Sequence, residues 1–401
     1  MTTKRENLLK IAVLSEYIFT NRESFKTMQG SGFFGASLSL IESLASLGVE
    51  MEFITFRRER LLSLLRLAFR AVGRGDNPRL WSIGEFLAKR AGAHFRKALK
   101  SSNVSRDFLL CCDHSSLIAY VDVKIPLVIV RDAAIATVYE HYELRISEYQ
   151  KFKSLENERL AYENATLIFL TSRWAVAAAQ RQYPHLGQKF RVLFRGPSFS
   201  FTPTEEDVNQ WIISRSQSCL EILFVAGDWD RKGGDLVIET CELLRRSGQN
   251  LRLRILGSAS AGRKYPEWVE IVGYISKDSA EGEAKLSELY RKSHFVFVPS
   301  RAEIFGLFTP EANIHGVPAI STNVGGVSDA IQSGQNGFIL DARSKAYNYA
   351  QVILSAFQNQ EEYQKLCRSS FQYYLRHFNW KRLGQKLIDE VQFTDQGDRL
   401  A

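Results

Sequence analysis

The feature that most constrains this chain is a rhythm. Short apolar, β-branched runs alternate with stretches of helical spacing, stop once, and start again. The runs 10–17 (KIAVLSEY), 50–56 (EMEFITF), 107–111 (DFLLC), 125–130 (IPLVIV), 165–170 (ATLIFL) and 190–194 (FRVLF) read as strands, and 34–47 as a helix. Residues 195–219 break the pattern with two prolines and many polar residues, and read as an interdomain linker. Strands resume at 220–226, 251–256, 269–273, 294–298 and 317–321, and the chain closes in helical segments near 344–358, 360–377 and 380–393. Apolar strands alternating with helices make a parallel sheet covered on both faces. The expected fold is α/β, with two doubly wound Rossmann-like domains facing each other, residues 1–198 and 199–379. A length of 401 residues accommodates both.

The densest chemistry lies in Pro299–Leu340, directly after a strand, where open α/β sheets place ligand loops. Seven residues separate Glu303 from Glu311, Phe305-Gly306-Leu307 among them. Thr309-Pro310-Glu311 reads as a helix start, with Thr309 as N-cap and Pro310 at the first helical position. Free N–H groups and the helix dipole suit a phosphate there, and Gly306 lets the backbone approach a ligand. A second cluster, Phe224–Gly234 (FVAGDWDRKGG), runs from a strand through Gly227 into Arg231-Lys232-Gly233-Gly234. Two cations at a strand-to-helix turn suit a diphosphate.

This arrangement resembles the E-x7-E signature of retaining GT-B glycosyltransferases, the family 4 or "group 1" type. The surroundings Gly316-Val317-Pro318, Asn323–Val327 and Asn336-Gly337 resemble that family too. The resemblance implies that Glu311 holds the ribose hydroxyls of a nucleotide and Glu303 the hydroxyls of a donor sugar. It implies that backbone N–H groups of Phe305, Gly306, Leu307 and Phe308 hold sugar hydroxyls and the diphosphate. Arg231 and Lys232 match its donor-phosphate loop, with Lys232 neutralising the departing phosphate. Many members carry an arginine just after the first glycine of that loop; here the position is Asp228. The resemblance also implies that the last helix, about 380–401, packs back on the N-terminal domain.

The string Asp228-Trp229-Asp230 matches D-x-D, but the charges of Arg231 and Lys232 beside it would compete with a metal ion, and no metal site is assigned. Two cations and a helix N-terminus offset diphosphate charge instead. Gly30-Ser31-Gly32-Phe33-Phe34-Gly35 matches G-x-G-x-x-G, yet it follows the first strand at a distance and the second strand ends in Phe56-Arg57-Arg58 rather than an acid. By resemblance, Gly30 and Gly32 belong to a loop facing the donor phosphates and the acceptor. Asp132, after IPLVIV, is a candidate polar contact to donor or acceptor; its alternative role is to cap the next helix. His114 is a weaker candidate, and Ser172 and Gly196 resemble structural positions of the family.

Charge narrows the partners. Residues 1–200 hold 29 basic and 19 acidic side chains, and 51–100 alone hold 12 and 4. The segment 56–74 sets six arginines among leucines at helical spacing. Such a helix can lie on an anionic membrane or cover a sheet with its arginines solvated. The excess is local and no recognition motif accompanies it, so no nucleic acid is expected. Five scattered cysteines without a C-x-x-C pair argue against a disulfide framework or zinc site, and no apolar run reaches 18 residues. A cytoplasmic protein is expected, possible contact with the inner membrane face included. The expected activity is transfer of a sugar from a UDP- or GDP-linked donor, without a cofactor, to a hydroxyl of a glycan, lipid-linked glycan or small molecule. The rival reading is a non-catalytic nucleotide-sugar-binding subunit, to which Asp228 gives weight.

Overall fold

The computed structural model describes residues 9–15, 32–56, 85–102, 104–112, 115–260, 262–277 and 279–400. The first half comprises β1 (Lys10–Ser15), α1 (Gly32–Ser46), β2 (Glu50–Thr55), α2 (Glu85–Ser101), β3 (Phe108–Cys111), β4 (Leu127–Arg131), α3 (Ile135–His141), α4 (Glu148–Asn164), β5 (Leu167–Leu170), α5 (Arg173–Gln182) and β6 (Phe190–Val192). After α6 (Glu205–Ser214) come β7 (Leu220–Ala226), α7 (Gly234–Arg246), β8 (Leu251–Gly257), β9 (Val269–Gly273), α8 (Ala280–Lys292), β10 (Phe295–Val298), α9 (Phe308–Asn313), β11 (Ala319–Thr322), α10 (Val327–Ala330) and β12 (Gly337–Leu340). Three helices finish the chain: α11 (Ala346–Gln358), α12 (Gln360–His377) and α13 (Trp380–Leu400).

The strands form two six-stranded sheets, β2-β1-β3-β4-β5-β6 and β12-β11-β10-β7-β8-β9. Every pairing is parallel. Period-two alternation splits the first sheet's side chains between two cores. Ala12, Leu14, Leu109, Ile129 and Ile168 pack under α2, α4 and α5. Ile11, Val13, Leu110, Val128 and Phe169 pack under α1 and α13. The second sheet has one large core in which Phe295, Val296, Phe297 and Val298 are fully buried, each worth roughly 1.5–3 kcal/mol of apolar transfer.

Three readings change in detail. Residues 195–219 are not all linker, because α6 lies within them. Its start is specified locally: Thr204 and Asp207 form a capping box, and three acids occupy its first turn. Strand β12 is an addition; at four residues with three half-exposed side chains it carries little apolar signal. The first helix begins at Gly32 rather than Phe34. As expected, the last helix returns to the first domain. The Ser43 hydroxyl donates to the Trp380 carbonyl at 2.6 Å, and Leu383, Leu387, Ile388 and Val391 join the core beneath α1. Gly30, His114 and all of 57–84, hence nearly all of the basic 56–74 segment, lie outside the described residues.

Candidate active site

In the second sheet β7 has β8 on one side and β10 on the other, so the crossovers leave its centre in opposite directions. The loops after β7 and β10 therefore emerge side by side at a switch point, the place where such sheets bind ligands. Arg231 and Lys232 come from the first loop and Glu303 from the second. Lys232 Nζ pairs with the Glu303 carboxylate, and Arg231 Nη1 lies 3.5 Å from it. Arg231 also donates to the Ala302 carbonyl at 3.0 Å and lies over the Tyr142 ring, while Lys232 lies over the Phe308 ring. Glu303 is only 8% exposed. Burial alone would raise its pKa, but Lys232 and Arg231 outweigh it and hold the carboxyl below the usual range.

Gly306 sits at φ +89°, a conformation that suits glycine, and turns the loop from Glu303 into α9. Phe305 is buried, its ring stacked on Phe194 at 5.7 Å, so its side chain is part of the interdomain packing and only its main chain is left to meet a ligand. Leu307, not Thr309, is the N-cap of α9, and no side chain caps it. Thr309 lies inside the helix, wholly buried, its hydroxyl without a hydrogen-bond partner. Pro310 therefore sits in the first turn but not at its first position. Glu311 is 6% exposed and engaged at both oxygens: Lys277 Nζ pairs with Oε1, and the Tyr290 hydroxyl donates to Oε2 at 2.9 Å.

Gly227 is exposed, with nothing within 4 Å of where a side chain would begin, so the main chain there is open to approach. Asp228 turns back on its own loop. Its Oδ1 accepts from the Arg231 N–H at 3.1 Å and its Oδ2 lies 3.7 Å from Arg231 Nε. Among the described residues no group of three His, Cys, Asp or Glu is placed to hold a metal ion.

The first domain reaches this site through residues that sequence reasoning did not single out. His141 Nε2 lies 2.8 Å from the Glu303 N–H and 3.1 Å from the Glu303 carbonyl. Burial lowers the His141 pKa, which favours the neutral ring accepting the N–H. The Tyr142 hydroxyl accepts from the Ile304 N–H at 3.3 Å. Gly325 completes the contact: at φ +55°, a Cβ there would fall 1.9 Å from the Glu303 carbonyl oxygen. Nearby, Asp329 accepts from Arg173 Nε at 2.6 Å and from the Trp174 N–H at 3.1 Å, joining α10 to the start of α5. Ser172 caps α5 by accepting from the Ala175 N–H. Gly196 is packed beneath Trp380, where a Cβ would meet the Phe378 carbonyl at 2.6 Å.

Asp132 does not join the Glu303 cluster. Its carboxylate accepts from Arg195 Nε at 3.1 Å, and its carbonyl from Thr171. Nor does it cap α3, whose Ile135 N–H donates to the buried Glu158 at 2.9 Å. Gly32 opens α1 and is not brought to these residues by any described contact.

Residues 210–372 match the family Glycosyl transferases group 1. D-inositol 3-phosphate glycosyltransferase of Paenarthrobacter aurescens is 26% identical over 192 residues, 45% of this chain and 46% of that protein. The chain thus spans less than half the length of the curated relatives it matches. Among solved structures, sucrose-phosphate synthase from Thermosynechococcus elongatus superposes with a TM-score of 0.62 at 18% identity, over 98% of this chain and 100% of that one. Anabaena HepE in complex with UDP gives 0.61 at 15%, over 96% and 100%. Both sheets and their helices thus adopt the GT-B fold.

Proposed function

We propose that the chain, whose residues 210–372 match the Glycosyl transferases group 1 family, is a glycosyltransferase that moves a sugar from a nucleotide-diphosphate donor to an acceptor hydroxyl. The observation that carries this is the pairing of Arg231 and Lys232 with Glu303 at the switch point of the second sheet. In this reading the two cations meet the donor diphosphate. The bound UDP of the HepE structure supports a uridine nucleotide as the first donor to try.

In this reading Glu311 receives the ribose hydroxyls. Lys277, whose side chain is 31% exposed, gives way to the ribose, while the buried Tyr290 stays to orient the carboxylate. Glu303 accepts hydrogen bonds from the donor sugar, and main-chain N–H groups of 305–308 meet sugar and phosphate. As the sugar–phosphate bond breaks, charge gathers on the leaving oxygen, and Lys232 and Arg231 neutralise it; in many enzymes such preorganised charge contributes more to the rate than any other single effect. The acceptor oxygen bonds to the anomeric carbon from the face the phosphate vacates, and its proton passes to a phosphate oxygen. That course retains configuration and needs no protein nucleophile and no metal. Asp132, fixed by Arg195, is proposed to contact the acceptor side, and a cytoplasmic location is proposed with it.

Asp228 favours a second reading, a nucleotide-sugar-binding subunit without activity, since its carboxylate is turned on Arg231 and lowers the local positive charge. Release of nucleoside diphosphate from UDP- and GDP-sugars, measured with a set of glycan, lipid-linked and small-molecule acceptors, separates the two. Turnover with an α-linked product from an α-linked donor, undiminished by a chelator, is expected. Tight donor binding without turnover by any acceptor would favour the inactive subunit.

A further inference from the structure

His141 has a second neighbourhood besides Glu303. Its ring lies 4.8 Å from the ring of Trp174, and both line a cavity of about 680 Å³ between α3, α4 and α5. A volume of this size is that of a small-molecule site. The wall is amphipathic. Leu155, Trp174 and Ala178 are half-buried and present apolar surface to the cavity. Lys151 and Arg181 also line it, with one carboxylate, Glu140. Two residues from Lys151, Lys153 is neutralised by Glu85 and Glu156. Neither Lys151 nor Arg181 has a carboxylate within 4.0 Å among the described residues.

We propose that this cavity binds a single-chain amphiphile with a phosphate head. The phosphate lies between Lys151 and Arg181, whose charges match a group carrying about −1.5 to −2 at neutral pH. The guanidinium suits phosphate through paired, charge-assisted hydrogen bonds. The hydrocarbon chain covers Trp174, Leu155 and Ala178, where each methylene removed from water favours binding. Neither half suffices alone: Lys151 is half-buried and Arg181 exposed, so solvent screens the charges, and the apolar surface is small. A bound chain presses on Trp174 and His141, and His141 holds the main chain of Glu303. Occupancy therefore reaches the donor site, a consequence that rests on the function proposed above, whereas binding itself does not.

The test is calorimetric titration of the full chain with decyl phosphate below its micellar concentration, beside inorganic phosphate and decanol. One equivalent of decyl phosphate is expected to bind, with inorganic phosphate and decanol each at least about tenfold weaker. Lys151→Glu combined with Arg181→Glu should weaken decyl phosphate about tenfold or more while thermal unfolding stays cooperative. Ala178→Trp, which fills the cavity without touching charge, should abolish binding. Undiminished affinity in either variant, or decanol binding as tightly as decyl phosphate, overturns the proposal. Glu311→Gln should leave decyl phosphate binding unchanged. If Glu311→Gln also leaves nucleotide-sugar binding unchanged, the donor-site reading fails while this one stands.

Discussion

Glu303 is a carboxylate that burial would drive toward neutrality and two cations keep ionised. A side chain so held can accept hydrogen bonds from sugar hydroxyls without changing its own protonation. Glu303→Gln keeps the shape and removes the charge, and turnover should fall at least ~100-fold, the scale for losing a preorganised transition-state contact. Lys232→Ala should fall as far; steady-state kinetics with the cognate donor checks both, and activity near wild type in either would refute the assigned roles. His141 acts one step removed. It is a positioning residue, fixing the Glu303 main chain from the other domain. His141→Ala should lower kcat about tenfold with a smaller change in donor KM, and His141→Gln, whose amide oxygen can still accept the N–H, should recover most of the loss. Equal losses in both variants would point to packing alone. The two glutamates and the two cations were legible because they cluster in sequence within loops that follow strands. His141, Lys277 and Tyr290 were not, because a histidine at a helix end and a lysine in a loop look ordinary until the fold carries them 162 and 34 residues along the chain to their partners.

Among the elements, α3 and α10 bind the domains together. Helix α3 hangs from a buried carboxylate, Glu158, whose pKa burial pushes up to about 7 against the opposing pull of the Ile135 N–H. The sign follows from linkage: the folded state holds this proton up to about pH 7, whereas the unfolded chain releases it near the ordinary 4.5. Glu158 therefore contributes stability that is lost as pH rises between those limits, on the order of 3 kcal/mol in all at 1.36 kcal/mol per unit. Denaturant unfolding of wild type and Glu158→Gln across pH 4.5–8 should show wild type losing stability relative to the variant, which has no proton to release there, as pH rises; a constant difference would contradict it. Asp329 anchors α10 on α5 through two charge-assisted hydrogen bonds. Asp329→Ala should cost about 2 kcal/mol, the scale of hydrogen bonds to a charged group, and raise donor KM, with no such change in Arg343→Ala, whose own ion pair is exposed. Most strands were legible from their apolar runs, since continuous burial on both faces writes itself into composition. Strand β12 and helix α6 were not: one is short and half-exposed, and the other lies in a proline-flanked stretch where polar character masked its capping box. Thr309 misled for the opposite reason, carrying a capping residue's chemistry while buried inside a helix that Leu307 begins.

At the scale of the molecule, two sheets present the loops at their carboxyl ends to one another, and most of the residues assigned to the site lie on those loops. His141, Tyr142 and Asp329 tie the halves together through contacts to main chain or helix starts, so the first domain holds the Glu303 loop in place rather than merely covering it. Buried His294 and His315, both held down to about 3 by burial, add an acid limit to the assembly. The unfolded chain protonates them near 6.5, so their stabilising contribution is whole above that pH and is lost as pH falls toward 3. The measurement that bears most directly on the central claim is donor binding to the intact chain. Thermal unfolding should be followed with UDP-, GDP-, ADP- and TDP-sugars, with and without a chelator, in wild type and Glu311→Gln. A native-state ligand at one hundred times its dissociation constant adds about 2.7 kcal/mol. The account predicts a shift with one nucleotide-sugar, unchanged by the chelator and absent in Glu311→Gln. No shift with any nucleotide-sugar at millimolar concentration, or an equal shift in the variant, would contradict it.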